Sequence, residues 1–272
     1  MGDRGGKPSA GEPVLDRAVR LLEAFDARGA SLPLAELARR SGLPTSTALR
    51  LARRMRALGL LERQNDGRFT VGIRMLELGA RAGRGNGIRS IALPYLEELH
   101  RATGYYVLLG VLDGDEAVLI ERLSPRGPAD DMYRVGTRMP LAGTGLGLAL
   151  LAFTSDDYRA KYLATPRVIE PEGAAVDADA LGAHIDRVRS VGIATVSRPI
   201  GPRFASVACP IFGAGDELLA AISIVAPPHV LSPHSVRTAV VAIAGAISRQ
   251  LGGPGTHLTP SQRILRDRAD PA

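Results

Sequence analysis

Thr45, Ser46 and Thr47 open a segment that goes on to carry Arg50, Arg53, Arg54 and Arg56. Hydroxyl and guanidinium groups are side chains that meet phosphate oxygens and base edges in a DNA major groove. At helical spacing the segment places Ala48, Leu51, Ala52, Met55 and Leu58 on one face. That leaves the polar opening turn and Arg50 to face a groove, and Arg53, Arg54 and Arg56 to meet phosphates or solvent. Arg39, Arg40, Arg63 and Arg68 flank the segment. A charged run is more often simply a solvated helix face, so its context must decide. A second group, Gly143-Thr144-Gly145-Leu146-Gly147, precedes an apolar run. Free backbone N–H groups at a helix start favour an anion such as a carboxylate. Close packing of small residues on a sheet would explain the same glycines. The third glycine is one position off for a dinucleotide loop, and no P-loop lysine follows.

Other reactive residue types are present without a pattern. His100, His184, His229, His234 and His257 form no i,i+4 pair and no metal-ligand cluster. No Gly-x-Ser-x-Gly elbow exists. Cys209 lies in an apolar run and reads as a small core residue. Asp113/Asp115 and Asp156/Asp157 sit at turns or helix starts, where capping accounts for them. The sequence therefore offers no catalytic residue, no metal site and no cofactor.

The elements that must position the two groups can be read from spacing. Residues 1–12 read as a disordered tail. A helix spans about Val14–Arg28, and a second spans Leu34–Arg40. Ser41-Gly42-Leu43 is the turn, where glycine adopts a φ that other residues resist. Pro44 suits the first turn of a third helix, which stops before Gly59. Strands Leu60–Arg63 and Arg68–Val71 flank Asp66-Gly67, a hairpin signal. Helix, helix–turn–helix and hairpin is the order of a winged helix–turn–helix.

Residues 73–82 read as helical. Gly83-Arg84-Gly85-Asn86-Gly87 predicts a hinge, and Ile88–Thr103 a longer helix that bends or starts late at Pro94. Tyr105–Leu112 and Ala117–Leu123 form a hairpin through Asp113-Gly114-Asp115, and Met132–Val135 is a further strand. Gly143–Phe153, Asp156–Ala164 and Ala178–Val191 are helices. Ile193–Ser197, Ser206–Phe212 and Leu218–Ala226 are strands, and Ser232–Leu251 is a final helix. From Gly252 the chain reads as a disordered tail. The sheet should hold five or six mainly antiparallel strands.

Composition bounds the reading. The chain has 272 residues, enough for one large domain or two small ones. Its single cysteine excludes an intrachain disulfide framework or a cysteine zinc cluster. The polar start lacks a secretory apolar stretch, and the longest apolar runs fall short of the ~20 residues a membrane span needs. A soluble cytoplasmic protein with no membrane partner is expected. The net charge is +6, almost all of it from arginine, since only Lys7 and Lys161 are lysines. Residues 1–85 hold 16 basic and 9 acidic side chains, and residues 86–272 hold 18 and 19. The excess positive charge therefore sits in the first third. That is what a nucleic-acid module joined to a near-neutral domain looks like.

The chain resembles the IclR family of bacterial transcriptional regulators. The resemblance runs through Leu15-Asp16-Arg17-Ala18, Leu34-Ala35-Glu36-Leu37-Ala38-Arg39-Arg40-Ser41-Gly42-Leu43-Pro44, Ser46-Thr47 and Leu58-Gly59-Leu60-Leu61-Glu62-Arg63. It continues at Val71-Gly72, Leu76-Glu77-Leu78-Gly79, Leu112-Asp113-Gly114-Asp115-Glu116, Val135-Gly136-Thr137-Arg138-Met139-Pro140-Leu141 and Ala220-Ala221-Ile222-Ser223-Ile224. It covers about residues 13–251. The fold it implies is α+β: a winged helix–turn–helix (13–72), linker helices (73–104) and a GAF-like effector-binding domain with a mainly antiparallel sheet (105–251). It also implies a dimer or dimer of dimers, and a small organic ligand held at Gly145 and Leu146.

Departures from the family pattern shape the expected ligand. Ala142 and Leu148 stand where the family usually has His and Lys, and Val196-Ser197-Arg198-Pro199 replaces an acidic stretch. Pro202-Arg203-Phe204 replaces a glycine turn, and Ser206 replaces a cysteine. Ser223 is kept, whereas Val225 replaces a second serine. Thr144, Gly145, Leu146, Ser206 and Ser223 then supply polar contacts, and Val196, Phe204 and Val225 supply apolar walls. Ile224 and Val225 cannot both face inward, because strand residues alternate. The expected effector is a partly apolar acid or amide, aromatic or branched, rather than a compact diacid.

The expected DNA contacts are Arg39, Arg40, Thr45, Ser46, Thr47, Arg50, Arg53, Arg54 and Arg68, on a double-stranded operator of inverted-repeat character. The apolar stripe Ile91, Leu96 and Leu99 is the expected oligomer element. Two alternatives stay open. One is an enzyme with an accessory basic domain, which needs a nucleophile, base or metal set that the sequence does not show. The other is a constitutive DNA-binding regulator with a degenerate pocket.

Overall fold

A computed structural model describes residues 12–25, 30–125, 133–169, 174–197, 204–231 and 234–253. The chain divides into two compact units, the first ending at Gly83 and the second beginning at Arg84.

In the first unit, α1 (Val14–Glu23) is followed by the short strand β1 (Ser31–Leu32), then by α2 (Leu34–Ser41) and α3 (Thr45–Ala57). Strands β2 (Leu61–Arg63) and β3 (Phe69–Val71) form the wing, and α4 (Arg74–Gly79) closes the unit. The α2–α3 turn works as expected, with Gly42 at φ 63°. In that left-handed region a Cβ would be strained. Leu21, Leu37, Ala48, Leu51, Ala52, Met55, Leu61 and Phe69 form the core. They fix α3 by one face and leave its other face outward. Helix α1 is shorter than its periodicity predicts. It ends at Glu23, and residues 26–29 lie outside the described segments. Strand β1 was not foreseen. It pairs antiparallel with β3, Ser31 to Thr70 and Leu32 to Phe69, giving the sheet order β1-β3-β2.

The second unit opens on α5 (Gly83–Thr103), which runs straight through the glycine-rich stretch expected to break it. Each glycine costs a helix only about 1 kcal/mol. The turns that follow bury Ile88, Ala92, Leu96 and Leu99 in the unit's own core. That burial also corrects the oligomer element: Leu96 and Leu99 are not available to a partner.

Next come β4 (Tyr106–Asp113), β5 (Glu116–Leu123), β6 (Arg138–Pro140), α6 (Gly145–Ala152), α7 (Asp156–Ala164), β7 (Val168–Ile169) and β8 (Ala174–Ala175). After them follow α8 (Ala178–Val191), β9 (Ala194–Ser197), β10 (Ala205–Phe212), β11 (Leu218–Ala226), α9 (Pro228–Leu231) and α10 (His234–Gln250). Tyr133 to Val135 is not strand, and Met132 lies outside the described residues. The edge strand is β6, which pairs with β5 at Glu116–Pro140 and Val118–Arg138. Gly252, expected to open the C-terminal tail, instead forms a β-bridge with Gly213, and the rest of both expected tails, residues 1–11 and 254–272, lies outside the described residues.

Six antiparallel strands in the order β6-β5-β4-β11-β10-β9 form the central sheet. Helices α6, α7 and α8 bury Leu146, Leu150, Tyr162, Leu181 and Ile185 against one face. Helices α5, α9 and α10 bury Leu96, Leu99, Leu231, Val240 and Ile247 against the other. The central strand β11 is therefore covered on both sides and reads as an almost unbroken apolar run, Leu218 to Ala226. Arg159 of α7 is buried and donates to the carbonyls of Ala152 and Thr154, while pairing with Asp156. It satisfies acceptors that a helix end leaves open and so anchors the C-terminus of α6.

Candidate DNA interface and effector site

At 100° per residue, Ser46, Arg50 and Arg53 project from α3 directly opposite its buried face. Thr47 and Arg54 lie on one flank, Thr45 and Arg56 on the other. Thr45, Ser46 and the four arginines are exposed, and Thr47 is half-buried. No acidic residue stands in the first turn of α3. The positive end of the helix dipole is thus uncompensated and favours an anion. Among the described residues, the side chains of Arg50, Arg53, Arg54 and Arg56 have no acceptor.

The flanking arginines differ. Arg39 and Arg40 both donate to Glu36. Arg68 donates to the Ser31 carbonyl through Nε at 3.3 Å and Nη2 at 2.9 Å, bracing β1 against the wing. Arg63 donates to the Gly67 carbonyl at 3.2 Å and lies 5.8 Å from the centre of the Phe69 ring. The residues named from sequence therefore split in two. Among the described residues, the arginines on α3 have no acceptor, whereas Arg39, Arg40 and Arg68 are already engaged.

In the second unit, Thr144 caps α6, its Oγ1 accepting from the Gly147 amide at 2.9 Å. The Leu148 amide donates to the Thr144 carbonyl at 2.9 Å and the Gly145 amide to Ser206 Oγ at 3.2 Å. Of the first-turn donors, the Leu146 amide is the one left without an acceptor among the described residues. Close packing is also real here. A Cβ on Gly145 would lie 2.4 Å from Ser206 Oγ, and one on Gly147 would lie 2.5 Å from Leu141 Cα. The packing reading therefore holds at Gly145 and Gly147, and the Leu146 amide is the one donor of the turn that it leaves over.

Strand register assembles the rest. Val196, Ser206, Val225 and Tyr106 stand side by side across β9, β10, β11 and β4. Ser223 is two residues from Val225 on the same face, and Ile224 packs into the opposite core. Phe204 meets Tyr106 edge-on at 6.4 Å, and the Tyr133 ring lies 5.8 Å from that of Tyr106. Arg122 Nη1 donates to the Tyr133 carbonyl at 2.5 Å and holds that segment. Tyr106, Tyr133 and Arg122 were not singled out from sequence. Tyr106 reaches the Ser206 side of the sheet through β4 pairing with β11, which no local pattern reveals. Arg198, Pro199, Pro202 and Arg203 lie outside the described residues.

A winged helix–turn–helix with an open arginine-bearing helix, followed by a helix-covered antiparallel sheet, is the build of a DNA-binding transcriptional regulator. The comparisons agree. The IclR helix-turn-helix domain matches residues 14–65, and the bacterial transcriptional regulator IclR C-terminal domain matches residues 81–251. The chain belongs to the IclR family.

It is 26% identical over 212 residues to the regulator XynR of Escherichia coli, spanning 77% of this chain and 84% of XynR. It is 25% identical over 238 residues to the E. coli repressor AllR, spanning 84% and 88%. An IclR homologue from Microbacterium hydrocarbonoxydans, crystallised with 4-hydroxybenzoate, superposes with a TM-score of 0.78 at 29% identity. That match covers 88% of this chain and 99% of the homologue. These relatives are regulators, and the chain is a regulator rather than an enzyme. Among the described residues no His, Cys, Asp or Glu group could hold a metal, and no helix is long and apolar enough to cross a membrane.

Proposed function

We propose that two or more copies of this chain bind an inverted-repeat operator in the cytoplasm, and that a small, partly apolar organic acid controls that binding. The observation that carries the effector half is the Leu146 amide, which has no acceptor among the described residues, next to the Gly145 amide that donates to Ser206. Ser206 stands beside it, and Tyr106, Phe204, Val196 and Val225 line the same sheet face. One polar head and an aromatic body suit that composition. The 4-hydroxybenzoate held by the Microbacterium homologue has such a shape.

Calorimetry of the full chain with 4-hydroxybenzoate, benzoate and glyoxylate tests it. The aromatic acids should bind more tightly than glyoxylate, since each buried CH₂ contributes about 0.8 kcal/mol. Ser206→Val should weaken their binding by about 1–3 kcal/mol through the lost hydroxyl partner. Preference for glyoxylate, or indifference to Ser206→Val, would remove the assignment. Binding with no change in operator affinity would favour a constitutive regulator.

A winged module of this size reads few base pairs, so specificity requires paired heads. With Leu96 and Leu99 buried, most of the exposed large apolar side chains among the described residues lie in the first unit. Leu15 is 73% exposed and Leu76 68%, with Val19 and Ile73 also exposed. In sedimentation at micromolar concentration the parent should be a dimer or larger. Leu15→Glu with Leu76→Glu should shift it toward monomer while leaving the fold intact. A monomeric parent, with or without DNA, would overturn the paired arrangement.

A further inference from the structure

Glu36 is the one acidic residue of α2, and it holds two of the cations that flank the DNA-facing helix. It stands three residues before Arg39 and four before Arg40, so the three side chains share a helix face. Arg39 meets the carboxylate with both prongs, Nε to Oε2 at 2.8 Å and Nη2 to Oε1 at 2.6 Å. Arg40 Nε reaches Oε1 at 2.6 Å, and its Nη1 reaches the Ala24 carbonyl at 3.4 Å. Arg40 is thus tied both to Glu36 and to the end of α1. Arg39 is 72% exposed, and its partner among the described residues is Glu36. Hydrogen bonds from Arg39 first, and then from Arg40, hold the Glu36 carboxyl down to about 2. It is therefore charged at any pH where DNA is bound.

The first helix of a helix–turn–helix crosses the DNA backbone. An exposed arginine there would normally add one sequence-independent phosphate contact. Here that contact requires Arg39 to give up a two-pronged carboxylate, and brings a phosphate toward a negative charge. An exposed ion pair is weak in water, yet so is a single phosphate contact, and the exchange leaves little net gain.

We infer that Glu36 is a specificity-determining residue that acts by restraint, holding Arg39 off the phosphate backbone and so limiting affinity for non-operator DNA. The inference rests on the DNA-binding role of the helix–turn–helix and assigns a function to an acidic residue within it. Glu36 acts through Arg39 and need not touch DNA.

The test uses the full chain and a random-sequence duplex, with fluorescence anisotropy between about 200 and about 50 mM salt. Glu36→Gln should bind this duplex more tightly than the parent, and its log–log salt slope should steepen by about 0.9 for each engaged head. Its advantage over the parent then grows roughly threefold per head across that range. Adding Arg39→Gln to Glu36→Gln should cancel both changes. Arg39→Gln alone sits at an exposed position and should keep a slope close to the parent's. An unchanged slope for Glu36→Gln overturns the inference, as does a gain that survives Arg39→Gln. So does the loss of a full phosphate's slope on Arg39→Gln alone, a reading that stands even if Glu36→Gln melts early.

Discussion

Arg50→Ala should weaken binding to an operator obtained by in vitro selection by about 2–6 kcal/mol. A bidentate arginine–base contact is worth about 1–3 kcal/mol, and an inverted repeat engages two heads, so the loss counts twice. Arg50 is placed for this role by the burial of Ala48, Leu51, Ala52 and Met55, which turns its side of α3 outward. Arg54, on the flank, should behave differently. Arg54→Ala should weaken operator and random duplex alike and lower the salt slope by about 0.9 per head, the signature of a lost phosphate contact. Anisotropy on both duplexes over a salt series separates the two roles. If Arg50→Ala weakened both duplexes by the same factor, Arg50 would be a phosphate contact, and sequence would be read elsewhere on α3.

Gly147→Ala should destabilise the second unit by about 1–2 kcal/mol net, against the sign that helix propensity gives. Alanine is favoured over glycine within a helix by up to about 1 kcal/mol. At this position the added Cβ would lie 2.5 Å from Leu141 Cα and 2.6 Å from the Pro140 carbonyl oxygen. Both obstacles are backbone, and the chain that bears them continues from strand β6, so neither can swing aside. Forced overlap in a packed interior costs about 1–3 kcal/mol and occasionally more. Relief would require the start of α6 to lift, moving the Leu146 amide, so effector binding should fall with stability.

Gly145→Ala should be milder, because its obstacle is a side chain, Ser206 Oγ. Ser206→Ala in the same protein should recover part of the loss, leaving a tight Cβ contact at 3.1 Å. Chemical denaturation of the full chain reports the stability changes. A Gly147→Ala protein as stable as its parent would show that the entry to α6 is loosely packed.

Much of the molecule is legible in residue order because its causes are local. The 3.6-residue spacing in α3 identifies which face is buried. Gly42 and Asp66-Gly67 mark turns because few other residues tolerate positive φ, and both glycines have it. Helices α7 and α8 and strand β11 begin and end where their caps and apolar pattern place them. Charge segregation, a property of sequence alone, already pointed to the DNA module.

What an element packs against is another matter. The stripe of Leu96 and Leu99 was visible, but only the tertiary structure shows that it faces the unit's own sheet. Strand β1 is two residues long and exists because β3 gives it a partner. Tyr106 and Tyr133 join Ser206 and Phe204 only because β4 lies beside β11, and β11 beside β10. Arg68, Arg39 and Arg50 are all expected DNA contacts from the sequence, yet a carbonyl holds the first and a carboxylate the second. Side-chain spacing along the chain fixes which residues share a face. Pairing between distant segments fixes what that face meets, because the energy of a strand ladder or a buried contact belongs to both partners at once.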